Sequence, residues 1–444
     1  MPDDPTLQPR VAVVGLWHLG TVIAACVADA EWPVIGVDPD PDNVASLSAG
    51  RPPLFEPGLE DLLRDKLAAG TLRFGGPGDP GLRAAEIVWI TFDTPVDADD
   101  HADVEFVLTH AEAILRDAAP AALVVISSQL PVGSARGLAK RLASTGRTDL
   151  RFASVPENLR LGRAIETFSA PDRFVAGVRT ERDREALSRL LGRFTDRIEW
   201  MGVESAEMTK HALNAFLATS VAFINEIAGI SERVGADAAE VARGLKSEQR
   251  IGPRAYLSPG DAFAGGTLAR DIAFLTELAN EHDVPAYVAS GVAASNTAHR
   301  QWARRALVSK FSGVGDDGVA GRRIAIWGLT YKPGTDTLRR SSAVELARWL
   351  IESGASVIAY DPAIRALPPD FQPRLDLAAS ALDAVAGADA LVVSTPWPEF
   401  RDVSAHETVA AITTPLVLDA AGHLQSTLGE YDGVEYLRVG SPLV

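Results

Sequence analysis

"RVAVVGLWHLGTVIAACVADAEWPVIGVDPD", residues 10–40, carries three signals in one run. Val11–Val14 is a short apolar block rich in β-branched residues, the mark of a strand buried on both faces. Gly15 to Gly20 interrupt it, and the small and apolar residues that follow run as an amphipathic helix. A second apolar block, Val34–Val37, ends in Asp38. Strand, glycine turn, helix and strand make a βαβ unit, and Gly15 and Gly20 hold the first and third positions of the dinucleotide fingerprint. At such a turn the N–H groups and positive dipole end of a helix face a pyrophosphate. Trp17 stands at the middle position, which normally lacks a side chain, so it must swing outward or change how the dinucleotide sits. Asp38 lies 18 residues past Gly20, where a carboxylate holds both ribose hydroxyls and repels a 2′-phosphate. That favours NAD over NADP. Two glycines of three also occur in turns that bind nothing, so the rest of the chain must carry the reading.

Outward from this unit the alternation continues. "AAEIVWITFDTP" (84–95), "AALVVISSQLPVG" (121–133), "RFASVPENL" (151–159) and "DRFVAGV" (172–178) are strand-like, with helical stretches such as "VEFVLTHAEAILRDA" between them. This order predicts a parallel sheet covered by helices on both faces. From Glu204, about thirty residues run without proline and with apolar residues at helical spacing, which predicts one long helix. Further helical sequence extends to about residue 310, and "SGVGDDGVAGRR" (312–323) reads as a linker. Beyond it the opening plan returns: "VIGVDP" (34–39) is echoed by "VIAYDP" (357–362), each after a strand, a glycine turn and a helix. The expected architecture is α/β, with two doubly wound parallel-sheet domains, 1–202 and 311–444, joined by a central helical domain, 203–310.

The composition bounds the function. With 47% hydrophobic and 23% charged residues in 444, the chain is globular in character, and its formal net charge of −17 disfavours nucleic acid and anionic membranes as partners. No run of 18 apolar residues stands out and "MPDDPTLQPR" lacks the order of a secretory signal, so a cytoplasmic location is expected. Cys26 is the only cysteine and falls in an apolar helical run, which excludes disulfides within the chain and cysteine-rich metal sites. The eight histidines are scattered, and no metal site is expected. His18 and His211 read as turn or helix-surface residues, and the tryptophans mostly as core.

Lys210 and Asn214 are four apart on the long helix and share a face, either turned to one ligand atom or simply solvated. "FAGGTLARD" (263–271) has two readings as well. The glycine pair allows a ligand to approach Thr267, Arg270 and Asp271, or Thr267 caps a helix with Asp271 near its positive end.

In their order, "GLWHLG", "VIGVDPD", "FEPGLEDLL", "DTPVD", "SSQLPVG", "VPENLRLG", "PDRFVAG", "EMTKHALNAFLATSVAFINE", "QRIG", "FAGGTLARD", "GLTYKPGTDTLR", "YDP" and "TPWPEF" span nearly the whole chain. This series resembles the UDP-glucose/GDP-mannose dehydrogenase family, the nucleotide-sugar 6-dehydrogenases. The resemblance implies an N-terminal NAD-binding Rossmann domain, a central helical region that forms a homodimer, and a C-terminal Rossmann-like domain that holds the nucleotide sugar, most simply a UDP-hexose. It implies a double oxidation of the sugar C6 alcohol to a carboxylate with two NAD in succession. Lys210 and Asn214 would stabilise the C6 oxyanion, Asp271 would position Lys210 and water, and Glu157 would assist proton movement. Gly15, Trp17, His18, Leu19, Gly20, Asp38, Thr94, Arg270 and Arg339 would meet the cofactor. Asn158, Leu159, Tyr256, Phe263, Gly265, Lys332 and Arg250, the last from its own or the neighbouring subunit, would join Lys210 and Asn214 in meeting the substrate.

The chain departs from the family where the second oxidation needs it. The family's catalytic cysteine, whose thiolate attacks the C6 aldehyde, is Thr267 here, and a threonine hydroxyl is a weak nucleophile without an adjacent base. Gln129 replaces a catalytic threonine, Leu161 a glutamate, Arg270 a lysine and Ala421 a substrate-binding arginine. The leading expectation is therefore an NAD-dependent oxidoreductase that stops at the aldehyde. Two alternatives stand beside it: a four-electron oxidation through the aldehyde hydrate, and a non-catalytic binding homologue. Trp17 and Ala421 favour the last, and Lys210, Asn214 and Asp271 oppose it.

Overall fold

The computed structural model describes residues 10–97, 102–157, 159–264, 266–312, 318–367, 371 and 375–442. The chain forms two compact units, Met1–Ala212 and Leu213–Val444.

The first unit is built on eight strands, β1 (Val11–Val14), β2 (Val34–Val37), β3 (Leu72–Gly75), β4 (Ile87–Ile90), β5 (Leu123–Ile126), β6 (Arg151–Ser154), β7 (Phe174–Gly177) and β8 (Ile198–Met201), in the order β3-β2-β1-β4-β5-β6-β7-β8. Residues of β1, β2, β4 and β5 are buried throughout, because helices cover both faces. The pleat divides β1 between two cores: Val11 and Val13 face one, Ala12 and Val14 the other. Val14 of β1 lies level with Val37 of β2 and Ile90 of β4, so Gly15, Asp38 and Thr91 emerge together at the carboxyl edge. One expectation is corrected here. β7 pairs antiparallel with β6 through Ser154 and Gly177, and β8 follows β7, so the last two strands run against the other six. The segment leaving β6 stays at the carboxyl edge, and the next strand starts from there.

The second unit carries six parallel strands, β9 (Arg323–Trp327), β10 (Ser356–Tyr360), β11 (Leu375–Leu377), β12 (Ala390–Val393), β13 (Leu416–Asp419) and β14 (Glu435–Leu437), in the order β11-β10-β9-β12-β13-β14. The internal echo extends to a hydrogen bond. Asp38 Oδ2 accepts from Leu16 N at 2.6 Å after β1, and Asp361 Oδ2 accepts from Leu329 N at 2.7 Å after β9. The two carboxylates then differ. Asp361 also takes Thr330 N, the Thr330 hydroxyl and the Trp397 indole, so the protein itself consumes it.

The long helix is Val203–Val234, 32 residues. It has the length and apolar content of a bilayer span, although 39% of its most apolar window is buried in protein. The helices Thr267–Glu281 and Tyr287–His299 pack on its middle through Ala218, Ala222, Ile272 and Val292. Phe216, Phe223 and Ile230, spaced by seven, stay exposed along it.

Candidate functional site

In the first unit the dinucleotide turn is shaped by what glycine permits. Gly15 has φ +91°, and a Cβ there would stand 2.7 Å from the backbone nitrogen of Phe92. A Cβ on Gly20 would stand 2.0 Å from Gly15 O. The Thr91 hydroxyl bonds Val14 O and Gly15 O, each at 2.9 Å, and fixes the turn against β4. Trp17 precedes the helix His18–Asp29 as its N-cap, and its side chain is turned out, 49% exposed. The cradle at the helix N-terminus is thus not filled by the indole. Asp38 accepts from Leu16 N and, at 2.9 Å, from Asp40 N, and a carboxylate offers about four acceptor sites, so hydroxyls can still be held. Leu19 is half-buried against the core. These residues fit a dinucleotide.

His18 opens the helix at the glycine turn, and its Nε2 donates to the buried carboxylate of Glu56 at 3.0 Å. His211 is not on the helix surface. It is 2% exposed, and its Nε2 bonds Leu130 O at 2.9 Å. One turn earlier Glu207 accepts from Gly133 N at 2.6 Å and Ala135 N at 3.0 Å. Burial pushes the Glu207 carboxyl up, against the pull of those two amides. The long helix thereby grips the segment that carries Gln129, whose carbonyl accepts from the Thr94 hydroxyl at 2.8 Å. Lys210 Nζ donates to Glu157 O at 2.6 Å, and the Glu157 carboxylate accepts from Leu159 N. Leu161 is 37% exposed. Asn158 lies outside the described residues.

In the second unit Asn214 is buried and its amide donates to Asp271, which is 0% exposed. The loop before Asp271 is held by side chains that sequence reasoning did not single out. Asn225 bonds Gly260 N and Asp261 O, Asn296 bonds both N and O of Phe263, and His299 Nε2 donates to Gly260 O. Burial holds the His299 imidazole below its usual range, so it serves as a neutral donor. Thr267 does not cap the helix. Gly266 is the N-cap, without a side-chain bond, and Thr267 is the first helical residue. Arg270 N closes the turn onto Gly266 O at 2.9 Å. Gly265 lies outside the described residues.

A cleft of about 140 Å³ is lined by Ala264, Thr330, Tyr331, Lys332, Ser342 and Ser394, among others. The helix Ser342–Glu352, capped by Ser341, begins at this cleft, and Asp261 lines it as well as Lys332, so a carboxyl, a lysine and a helix N-terminus meet there. Arg339 is exposed nearby in sequence. Tyr256 is 59% exposed, and the side chain of Arg250 is 88% exposed with Glu248 as its partner. Ala421 lies beside Gly260 and brings no charge there.

The first unit thus has the glycine turn and strand-end carboxylate of a dinucleotide-binding protein, and the second holds a buried Asn214–Asp271 pair and a cleft at a helix N-terminus. Residues 9–195 match the NAD binding domain of the UDP-glucose/GDP-mannose dehydrogenase family, 204–298 its central domain and 325–426 its UDP binding domain. A UDP-glucose 6-dehydrogenase of Pseudomonas aeruginosa is 35% identical over 98% of both chains, and one of Rhizobium meliloti is 34% identical over 98% of this chain and all of that one. The structure of a UDP-glucose dehydrogenase from Pyrobaculum islandicum superposes with a TM-score of 0.85 at 27% identity, covering 99% of this chain and 100% of that one. The chain belongs to the UDP-glucose/GDP-mannose dehydrogenase family. It is an NAD-dependent oxidoreductase that acts on a CH–OH group of a nucleotide sugar.

Proposed function

We propose that this dehydrogenase oxidises the C6 alcohol of a UDP-hexose once and releases the aldehyde or its hydrate. Gly15, Gly20 and Asp38 would hold NAD, which would supply the acceptor for the C6 hydride. Lys210 and Asn214 hold the C6 oxygen as its proton leaves to water near Glu157, since a cation and an amide donor aimed at a developing alkoxide lower the barrier. Asp271 keeps the Asn214 amide oriented.

The observation that carries the single oxidation is the hydroxyl of Thr267 at the start of its helix. A second hydride requires a tetrahedral adduct at C6, and a thiolate forms one readily where a threonine does not. The one thiol of the chain is no substitute. Cys26 is 1% exposed inside the core of the first unit, with the Ser169 hydroxyl on its sulfur, and burial pushes it up to about 12. Support for UDP comes from the match of residues 325–426 to a UDP binding domain and from the names of the relatives.

The same reading includes three domains, 1–202, 203–310 and 311–444, a cytoplasmic location, and a homodimer formed along the exposed Phe216, Phe223 and Ile230. The test is stoichiometric. With a panel of UDP-hexoses, about one NADH should form per sugar consumed, a hydrazine should trap a C6 aldehyde, and Thr267→Cys should raise acid formation. About two NADH and a uronate at comparable rates would refute single oxidation and favour the hydrate route.

A further inference from the structure

Glu56 sits in the loop before the helix Leu59–Ala69, with 1% of its side chain exposed. Its Oε2 accepts from His18 Nε2 at 3.0 Å and from Gly162 N at 2.9 Å, and its Oε1 accepts from Ala164 N at 2.8 Å. The three donors come from two places that the reaction uses. His18 is the first residue of the helix at the dinucleotide turn. Gly162 and Ala164 close the segment 159–164, which folds back through Arg163 N onto Arg160 O at 2.9 Å with Gly162 at φ +88°. At its other end Leu159 N donates to the carboxylate of Glu157, whose carbonyl receives Lys210 Nζ.

A series of bonds therefore runs from the dinucleotide turn through His18, Glu56, the segment 159–164, Leu159 N and Glu157 to Lys210, all within the first unit. A carboxylate suits the central place because its two oxygens accept all three donors. A glutamine would set its own NH2 against one of them. Were Glu56 only a cap for the short helix Ala164–Ser169, the amides of Gly162 and Ala164 would suffice, and His18 would add nothing.

We propose that Glu56 is a positioning residue for hydride transfer, setting Lys210 in register with the dinucleotide turn through His18, Gly162 and Ala164. This rests on the reading of Lys210 as the oxyanion-stabilising cation.

The test compares Glu56→Gln, Lys210→Ala and the double variant in the full chain, with the UDP-hexose that turns over fastest as probe. Glu56→Gln should lower kcat about ten- to hundredfold, as expected for a displacement approaching 1 Å, with little change in KM. In the Lys210→Ala background it should cost no more than about twofold, because the path it acts through is gone. An equal cost in both backgrounds, or an unchanged kcat, would overturn the proposal. A normal kcat for Lys210→Ala would instead remove the reading of Lys210.

Hydrogen exchange of the ligand-free protein decides the tie by itself. Glu56→Gln should speed exchange both in 155–164 and in 15–22, and acceleration confined to 155–164 would leave Glu56 a helix cap and overturn the proposal. Asp183→Asn supplies the structural control. Asp183 completes the capping box of the helix Glu181–Leu191 and pairs with Arg151, so its loss should lower the melting temperature and spare kcat. An equal fall in kcat there would make general loosening the explanation. If Glu56→Gln fails to fold, His18→Gln, which leaves both amides capped, should lower kcat by about three- to tenfold with the same non-additivity toward Lys210→Ala, and full additivity would refute the link.

Discussion

Gly20→Ala is the sharpest probe of the dinucleotide turn. The added Cβ would stand 2.0 Å from Gly15 O and 2.5 Å from the Thr91 hydroxyl, where about 3.0 Å is the closest approach tolerated, so helix and turn must separate by about 1 Å. Neither neighbour yields easily. Gly15 O is backbone and accepts from Thr91 Oγ1 at 2.9 Å, and Gly15 itself packs on the Phe92 backbone. Overpacking of this kind costs about 1–3 kcal/mol, which a domain with about 5–15 kcal/mol of stability survives. The turn that receives the pyrophosphate is displaced, however, and a shift of about 1 Å costs on the order of a hundredfold in rate. kcat/KM for NAD should fall by about that factor while the protein still melts cooperatively. Trp17→Gly is the companion. Because the indole is 49% exposed, removing it should leave NAD affinity equal or tighter. Steady-state kinetics and calorimetric titration with NAD read both variants. A Gly20→Ala protein within about threefold of wild type, or a Trp17→Gly protein weakened about tenfold, would refute the reasoning.

Lys210→Ala should lower turnover on the order of a hundredfold with a much smaller change in KM, since an oxyanion-stabilising charge acts mainly in the transition state. Single-turnover rates check this. Cys26 should resist a thiol reagent at pH 8 in the native protein and react once unfolded, because its folded-state value of about 12 exceeds the ordinary 9.0. The same difference means that the thiol's contribution to stability is whole below pH 9 and is lost as pH rises from 9 to about 12, where the unfolded chain ionises first. Cys26→Ala should remove up to about 4 kcal/mol of that alkaline loss in denaturant titrations. Phe223→Glu should halve the mass measured by light scattering, and an unchanged mass would place the dimer contact elsewhere.

The βαβ opening, the long helix and the repeat of the first plan in the last third were legible because each depends on periodicity and turn chemistry within a few tens of residues. Asp38 was legible for the same reason, standing at the end of a strand one helix past the glycines. The orientation of Trp17 was not, since the glycine spacing allows the indole either side of the turn, and only the folded chain shows it 49% exposed. Thr267 could be read as facing a ligand or as capping a helix, and the N-cap position fell instead to Gly266, which makes Thr267 the first helical residue. Nothing local marks Glu56, whose donors lie 38, 106 and 108 residues away, or His211, which looked like a helix-surface residue until Leu130 covered it. Local sequence determines elements because neighbours along the chain share one set of torsions and one hydrophobic period. Partners for buried polar groups are chosen only when distant segments are brought together and water is excluded, since a group left without a bond there would cost more than the fold can spare.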